Sequence, residues 1–365
     1  MRRVVSRLTV TVLVLASFAV AAQNPSRFSP DKIKKIETAI SAEMSRHQIP
    51  GLSVAVVTGN ELRWSSGYGM ADLENFVPAK ATTVYRLGSI SKPVTAAAVM
   101  QLVERGKLDL DAPVQKNCPS FPEKQWPVTT RQLLSHLGGV RHYGSEAEFA
   151  STRRYTKLAD TLDIFKNDPL LHEPGTKYSY TTYGFNLLGC VVEGASGQSF
   201  MDYLGENVFK PAGLVTMRDD DVHAIIPNRA QGYQKTRTGE LRNSGLADTS
   251  IKIPGGGLVS TAEDLARFAI AMQTGRLVKK ETLDQMWTRQ KTRAGEEIGY
   301  GLGWGVDRRD GVKEVHHGGA QQRVTTFLYL MPEKGAAVAI MTNLEGVGGA
   351  LRSLCRQIAD IAIQE

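Results

Sequence analysis

Short apolar, β-branched runs stand at both ends of this chain with helix-forming segments between them, and that order restricts the topology more than any other feature. Leu52 to Val57 is one such run. It stops at Thr58-Gly59-Asn60, a turn signal, and Glu61 to Tyr68 returns as a second strand, so the two are expected to form a hairpin. Towards the other end, Gly299 to Val306 and Val312 to His316 read as strands. Thr325 to Leu330 and Ala336 to Thr342 form a second hairpin across Met331-Pro332-Glu333-Lys334-Gly335. Pro30 to Gln48 and Leu351 to Ile363 read as helices at the two ends. Pro93 to Arg105, Thr130 to His136, Tyr183 to Ala195, Ser199 to Val208 and Thr261 to Gln273 read as helices in the middle, separated by Gly and Pro. The expected fold is therefore α+β: an antiparallel sheet built from N- and C-terminal segments and flanked by helices, within a domain spanning residues 29–365. A mainly helical region, about residues 93–287, is inserted between the halves, and the junction of the two regions is a natural cleft.

Before this domain, Met1-Arg2-Arg3 through Arg7 is basic, Leu8 to Val20 is uncharged and apolar, and Ala19-Val20-Ala21 is a small-x-small site. Residues 1–21 read as a cleavable secretory leader, too short in its apolar run for a comfortable membrane span. A periplasmic or secreted protein with no stable membrane span is the expectation. Removing Arg2, Arg3 and Arg7 takes the net charge from +7 to +4. The remaining charge is scattered, with no basic run interleaved with aromatics, and gives nucleic-acid binding no support. Cys118, Cys190 and Cys355 are an odd, sparse set, expected to be mostly buried free thiols, with Cys190 packed in the apolar run Leu187 to Val192. There is no C-x-x-C or H-E-x-x-H spacing, so neither a metal site nor a cofactor is expected.

Ser89-Ile90-Ser91-Lys92 sits directly before the apolar, helix-forming run from Pro93 to Val103. Positions i and i+3 share one face of a helix, so the lysine amine can reach the serine oxygen. A serine hydroxyl is a poor nucleophile without a neighbouring base, and a desolvated lysine can be that base. The same spacing at Ser29–Lys32 is better read as Ser29 capping the first helix. Further on, Tyr180-Thr181-Thr182 lies on a loop ahead of a helix, where a phenol could share a proton with the serine or a leaving group. His316-His317-Gly318-Gly319 lies at a strand end, where small residues let backbone approach a ligand closely. Strand alternation turns only one of these histidines to the cleft. His136-Leu137-Gly138 reads as the C-terminal cap of a helix.

In that order, these three motifs resemble those of the serine β-lactamase and penicillin-binding-protein superfamily: S-x-x-K, a Y-x-N-type triplet and a K/H-[TS]-G-type strand. Tyr85-Arg86-Leu87-Gly88, Arg131 to His136, Gly256 to Leu265 and Tyr300 to Gly305 extend the resemblance over most of the chain. It is nearest the class C branch, with its D-alanyl-D-alanine carboxypeptidases, D-aminopeptidases and esterases. The resemblance implies Ser89 as acylated nucleophile, Lys92 as its proton acceptor and Tyr180 as general base or acid. His316 would stand in place of the third-motif cation, and the N–H groups of Ser89 and Gly319 would form the oxyanion hole. Thr182, Gly318 and Gly319 would contact the substrate. Thr182 replaces the usual asparagine and His316 the usual lysine. With Ser-Ile-Ser-Lys and Arg141-His142-Tyr143, the triplet is similar to that of the mitochondrial β-lactamase-like serine protease group. A peptidase or esterase on a peptide or small-molecule substrate is thus expected over a dedicated β-lactamase. A triad hydrolase is disfavoured by the lack of any G-x-S-x-G. A non-catalytic binding or scaffold protein on the same fold is the remaining alternative.

Overall fold

A computed structural model describes residues 28–364 of the 365-residue chain. The expected leader, residues 1–21, lies outside the described residues. Helix α1 (Pro30–His47) starts where the Ser29 side chain accepts from the Lys32 amide at 3.4 Å, with Pro30 in its first turn. The second S-x-x-K is thus a helix cap.

The main sheet has seven antiparallel strands: β1 (Gly51–Thr58), β2 (Glu61–Asp72), β3 (Val77–Pro78), β4 (Gly305–Arg309), β5 (Val312–Gln321), β6 (Val324–Met331) and β7 (Ala336–Thr342), in the spatial order β3-β2-β1-β7-β6-β5-β4. The two ends of the chain meet in the pairing of β1 with β7, in register from Leu52↔Thr342 to Val57↔Ala337. The continuous apolar runs are buried on both faces, and their period of two divides them between two cores. On β6, Val324, Leu328 and Leu330 face the helical region, while Phe327, Tyr329 and Met331 face α1 and the C-terminal helix α5 (Gly348–Ile363). Ala55 and Val57 of β1 join the first core; Leu52, Val54 and Val56 join the second.

The helical region lies across the first face. Its principal helices are α2 (Ser91–Glu104), α3 (Tyr183–Ser196) and α4 (Ala262–Gln273), the last packed on β1 and β7. Two expectations need correction. The strand expected over 299–306 begins only at Gly305, because Gly301 and Gly303 form a turn pressed against helices. A Cβ at 303 would lie 2.4 Å from that of Ala96, and one at 301 would lie 2.1 Å from the Met286 carbonyl. The helix expected over 199–208 is a short α-turn, Phe200–Leu204, that widens into a π-turn, Gly205–Phe209.

The cysteines are the third correction. Cys118 and Cys190 form a disulfide with a sequence separation of 72, leaving Cys355 as a buried free thiol. Chemistry favours oxidation of adjacent thiols, and proximity across such a separation is a tertiary property. The bond joins α3 to the loop carrying Cys118. Chain-entropy arguments put the stabilisation from a loop of this length at about 4 kcal/mol. Reductant is accordingly expected to lower the urea midpoint of the native protein, and Cys118→Ser with Cys190→Ser to abolish that sensitivity. Thiol titration of the denatured, unreduced protein should count one cysteine.

Candidate active site

Ser89 sits in a single 3₁₀ turn, Gly88–Ile90, that runs straight into α2. The turn is clamped on three sides. The Leu87 amide donates to the Leu258 carbonyl at 2.8 Å, and the Thr326 hydroxyl of β6 donates to the Leu87 carbonyl at 2.8 Å. Ser91 donates to the Gly88 carbonyl at 2.9 Å. Gly88 takes φ +54°, and a Cβ there would come within 3.0 Å of the Ala320 amide. At Gly319 a Cβ would lie 2.0 Å from the Leu87 carbonyl oxygen. The two glycines let β5 lie directly against the nucleophile turn.

Lys92, on the first turn of α2, is fully buried. Its Nζ lies 3.0 Å from Ser89 Oγ, 3.2 Å from Thr182 Oγ1 and 2.7 Å from the Gly255 carbonyl. Burial, reinforced by the positive charge of Lys252, pushes its pKa well below that of an ordinary lysine. The Tyr180 phenol lies beside Ser89 in the cleft, and burial raises its pKa, so it stays protonated. Lys92 Nζ also lies 4.8 Å from the Tyr180 ring centre. Thr182 is buried at the cleft wall, and its hydroxyl accepts from Lys92.

Of the two third-motif histidines, the structure turns the other one inward. His316 shares a face of β5 with Glu314, against α5, and its Nε2 lies 3.0 Å from Asp307, which also pairs with Arg352. Its ring stacks on Phe327, on the side of the sheet away from Ser89. His316 therefore does not take the place of a third-motif cation. His317 occupies the inner face with Val315, and its Nε2 lies 2.8 Å from the Tyr300 hydroxyl. Its Nδ1 lies 2.8 Å from the Gly318 carbonyl, which can only accept, so Nδ1 carries the proton and Nε2 accepts from Tyr300. Burial, then the nearby Lys92, pushes its pKa down to about 3, so it is neutral and supplies no charge.

The ladder also moves the oxyanion donor. A two-residue turn makes Gln321↔Val324 a hydrogen-bonded pair, and alternation makes Gly319↔Thr326 another. The Gly319 N–H thus points into β6. The N–H groups of Gly318 and Ala320 point to the opposite edge, which β4 leaves open beyond His316↔Gly305. Gly319 is required for close approach, and Ala320 presents the donor beside Gly88.

These groups line a cleft of about 330 Å³, with His142, Tyr143, Phe149, Lys252, Gly255, Gly256, Gln321 and Phe327 completing its walls. His136 ends its short helix at φ +59°, as a cap does. Its ring is also buried 4.3 Å from that of Tyr180, and its Nδ1 accepts from the Thr181 amide at 3.2 Å. His142 accepts from the Thr182 amide at 3.2 Å and is kept neutral, its pKa pushed down to about 4 by burial and then by Lys92 and Lys252. Neither Lys252 nor Ala320 was expected at the cleft from the sequence. A lone lysine in Thr249-Ser250-Ile251-Lys252 carries no local sign of burial, whereas the turn length between β5 and β6 does contain the ladder parity that selects Ala320.

A serine on a strand-to-helix turn, a buried lysine one helical turn on and an open, glycine-lined strand edge define a serine hydrolase of the β-lactamase and penicillin-binding-protein fold. The β-lactamase family model matches residues 36–363, and the chain belongs to that family. The mitochondrial serine β-lactamase-like protein LACTB of Homo sapiens is 30% identical, over 91% of this chain and 78% of that protein. An octameric penicillin-binding protein homologue from Pyrococcus abyssi superposes with a TM-score of 0.77 at 27% identity, over 91% of this chain and 77% of its own. The D-amino acid amidase of Ochrobactrum anthropi reaches a TM-score of 0.79 at 23% identity, over 91% of this chain and 98% of its own, a likeness of fold.

His316→Gln is expected to change ester turnover by less than about threefold, since the charges it pairs with, Asp307 and through it Arg352, are partly exposed and on the far face of the sheet. His317→Gln, which releases Tyr300 beside Tyr180, should lower kcat/KM on the order of tenfold or more. The reverse ranking would return His316 to the site. Gly319→Ala forces β5 away from the nucleophile turn, and denaturant melts should show it destabilised by roughly 1–3 kcal/mol, with turnover lost as well.

Proposed function

We propose that the protein is an exported serine hydrolase that cleaves a peptide, amide or ester bond through an acyl-enzyme on Ser89, with Lys92 as base. The observation that carries this reading is the fully buried Lys92 Nζ, 3.0 Å from Ser89 Oγ and held from the other sides by Thr182 and the Gly255 carbonyl. Burial depresses the Lys92 pKa, which makes its amine readier than an ordinary lysine to give up its proton and act as base, whereas burial raises the Tyr180 phenol and keeps it protonated. Lys92 therefore takes the Ser89 proton as Oγ attacks the carbonyl carbon. Tyr180 lies within reach of Ser89 and passes a proton to the leaving group, recovering it from Lys92. The carbonyl oxygen, turned oxyanion, is met by the Ala320 N–H at the open edge of β5 and the Ser89 N–H in the first helical turn. Each such donor is typically worth about 3–4 kcal/mol in the transition state. Water then attacks the ester, with the same groups working in reverse.

Export is supported by the leader-like residues 1–21 and by the Cys118–Cys190 disulfide, a bond that persists in oxidising compartments. Among the described residues no helix is long and apolar enough to cross a membrane.

A fluorophosphonate probe should label the wild-type protein and leave Ser89→Ala unlabelled. Lys92→Ala should lose ester turnover about as severely as Ser89→Ala, since the pair acts as a unit. The working base is the neutral amine, so kcat/KM should fall as pH drops through the depressed Lys92 pKa. Lys92→Arg, charged at every accessible pH, should be inactive throughout. Absence of any Ser89-dependent adduct would favour the non-catalytic binding role, and near-normal turnover by Lys92→Ala would remove Lys92 as base.

A further inference from the structure

The cleft contains a second lysine that the acyl-transfer chemistry above does not use. Lys252 ends the 3₁₀ turn Thr249–Lys252 and is 1% exposed, yet it forms part of the cleft wall. Its stem runs beside Gly256. A Cβ placed there would lie 3.7 Å from Lys252 Cδ, 3.8 Å from the Gly88 carbonyl carbon and 3.8 Å from Gln321 Oε1. The side chains of Lys252 and Gln321 thus flank backbone that touches the nucleophile turn.

The ammonium sits 4.5 Å from the Phe149 ring centre and 5.3 Å from that of Tyr143. Its hydrogen bond is to the Phe149 carbonyl at 3.3 Å, and among the described residues no carboxylate lies within ion-pair distance. An ammonium has three donors, and desolvating it without an anionic partner is costly. The charged and titratable groups around it are Arg86, Glu146, Asp220, Lys92 and His142. Of the two carboxylates, Asp220 is taken by Arg86 at 2.7 Å and Arg229 at 3.4 Å, and Glu146 is exposed on its short helix. Among the described residues lining the cleft there is no Asp or Glu. Gln321 Nε2, in the same corner, is buried without a hydrogen-bond partner.

We propose that Lys252 is the cation that receives a carboxylate of the substrate, so that the enzyme selects acyl donors bearing a free carboxylate near the scissile bond. This rests on the hydrolase reading above and narrows its substrate class. His317, neutral and with both ring nitrogens engaged, leaves no charge at the third motif for an anion to meet, and Lys252 supplies it from the corner it shares with Gln321. A substrate presenting an ammonium at this wall would meet Lys252 and no carboxylate. Burial holds the Lys252 pKa down to about 7, and an arriving carboxylate stabilises its protonated form.

The test uses two matched pairs of acyl donors, one charged on the acyl side and one on the leaving group. The first pair is p-nitrophenyl hydrogen succinate against p-nitrophenyl methyl succinate. The second is the thioglycolate thioester of benzoylglycine against its methyl ester. Wild-type enzyme should show the higher kcat/KM on the charged member of at least one pair. In Lys252→Met that charged-to-neutral ratio should fall by roughly 10- to 100-fold, the worth of a charge-assisted hydrogen bond, and Lys252→Arg should restore part of it. Fluorophosphonate labelling of Ser89 in each variant shows that the site is folded. Labelling with no charged-member preference in either pair, or a preference that survives Lys252→Met, overturns the assignment while leaving the hydrolase reading intact. No labelling of wild-type Ser89 removes both.

Discussion

Everything at the site depends on the close approach of β5 to the turn that carries Ser89. The pairing of β1 with β7 ties the two ends of the chain into one sheet, and the helical region is thereby laid across a single face of it. Contact between the two regions is then made backbone to backbone, because Gly88 and Gly319 have no Cβ to hold them apart. The Thr326 hydroxyl bonded to the Leu87 carbonyl fixes that contact from the sheet side. A side chain at either glycine would move the open strand edge away from the serine and separate nucleophile from oxyanion donor.

The same junction creates the electrostatic setting. Lys92 is sealed between α2, α3 and the Gly255 segment, where its charged form loses solvation. His136, His142 and His317 surround it with imidazoles, each neutral because it is buried beside a lysine. Positive charge in the cleft thus rests on Lys252, not on the histidine motif, and the rings of Phe149 and Tyr143 lie against it. Such a site activates a hydroxyl with Lys92 and leaves Lys252 to meet charge brought by a substrate.

Much of the fold was legible because β-rich ends and a helical middle have distinct periodicities. Ser89 and Lys92 were legible because their relation is local: one helical turn determines it. Relations between distant elements were not. A period of two shows that His316 and His317 face opposite ways, but not which face meets the helical region. The expectation chose His316, and packing of α5 with Asp307 and Arg352 places it on the far side. Gly319 was expected to let backbone approach a ligand; in the fold its missing Cβ lets β5 approach the nucleophile turn, and ladder parity gives the free N–H to Ala320. The pairing of Cys118 with Cys190, and the burial of Lys252, depend on neighbours remote in the chain.

The sequence by itself determined the antiparallel sheet built from both ends, the helical insertion and the serine–lysine pair, because hydrophobic period and helical spacing act over a few residues. Only the tertiary structure decided which histidine enters the cleft, which amide is free at its edge, which cysteines join and where the second lysine comes to rest. Those outcomes follow from which surfaces are removed from water together, and that is settled when the helical region closes on the sheet.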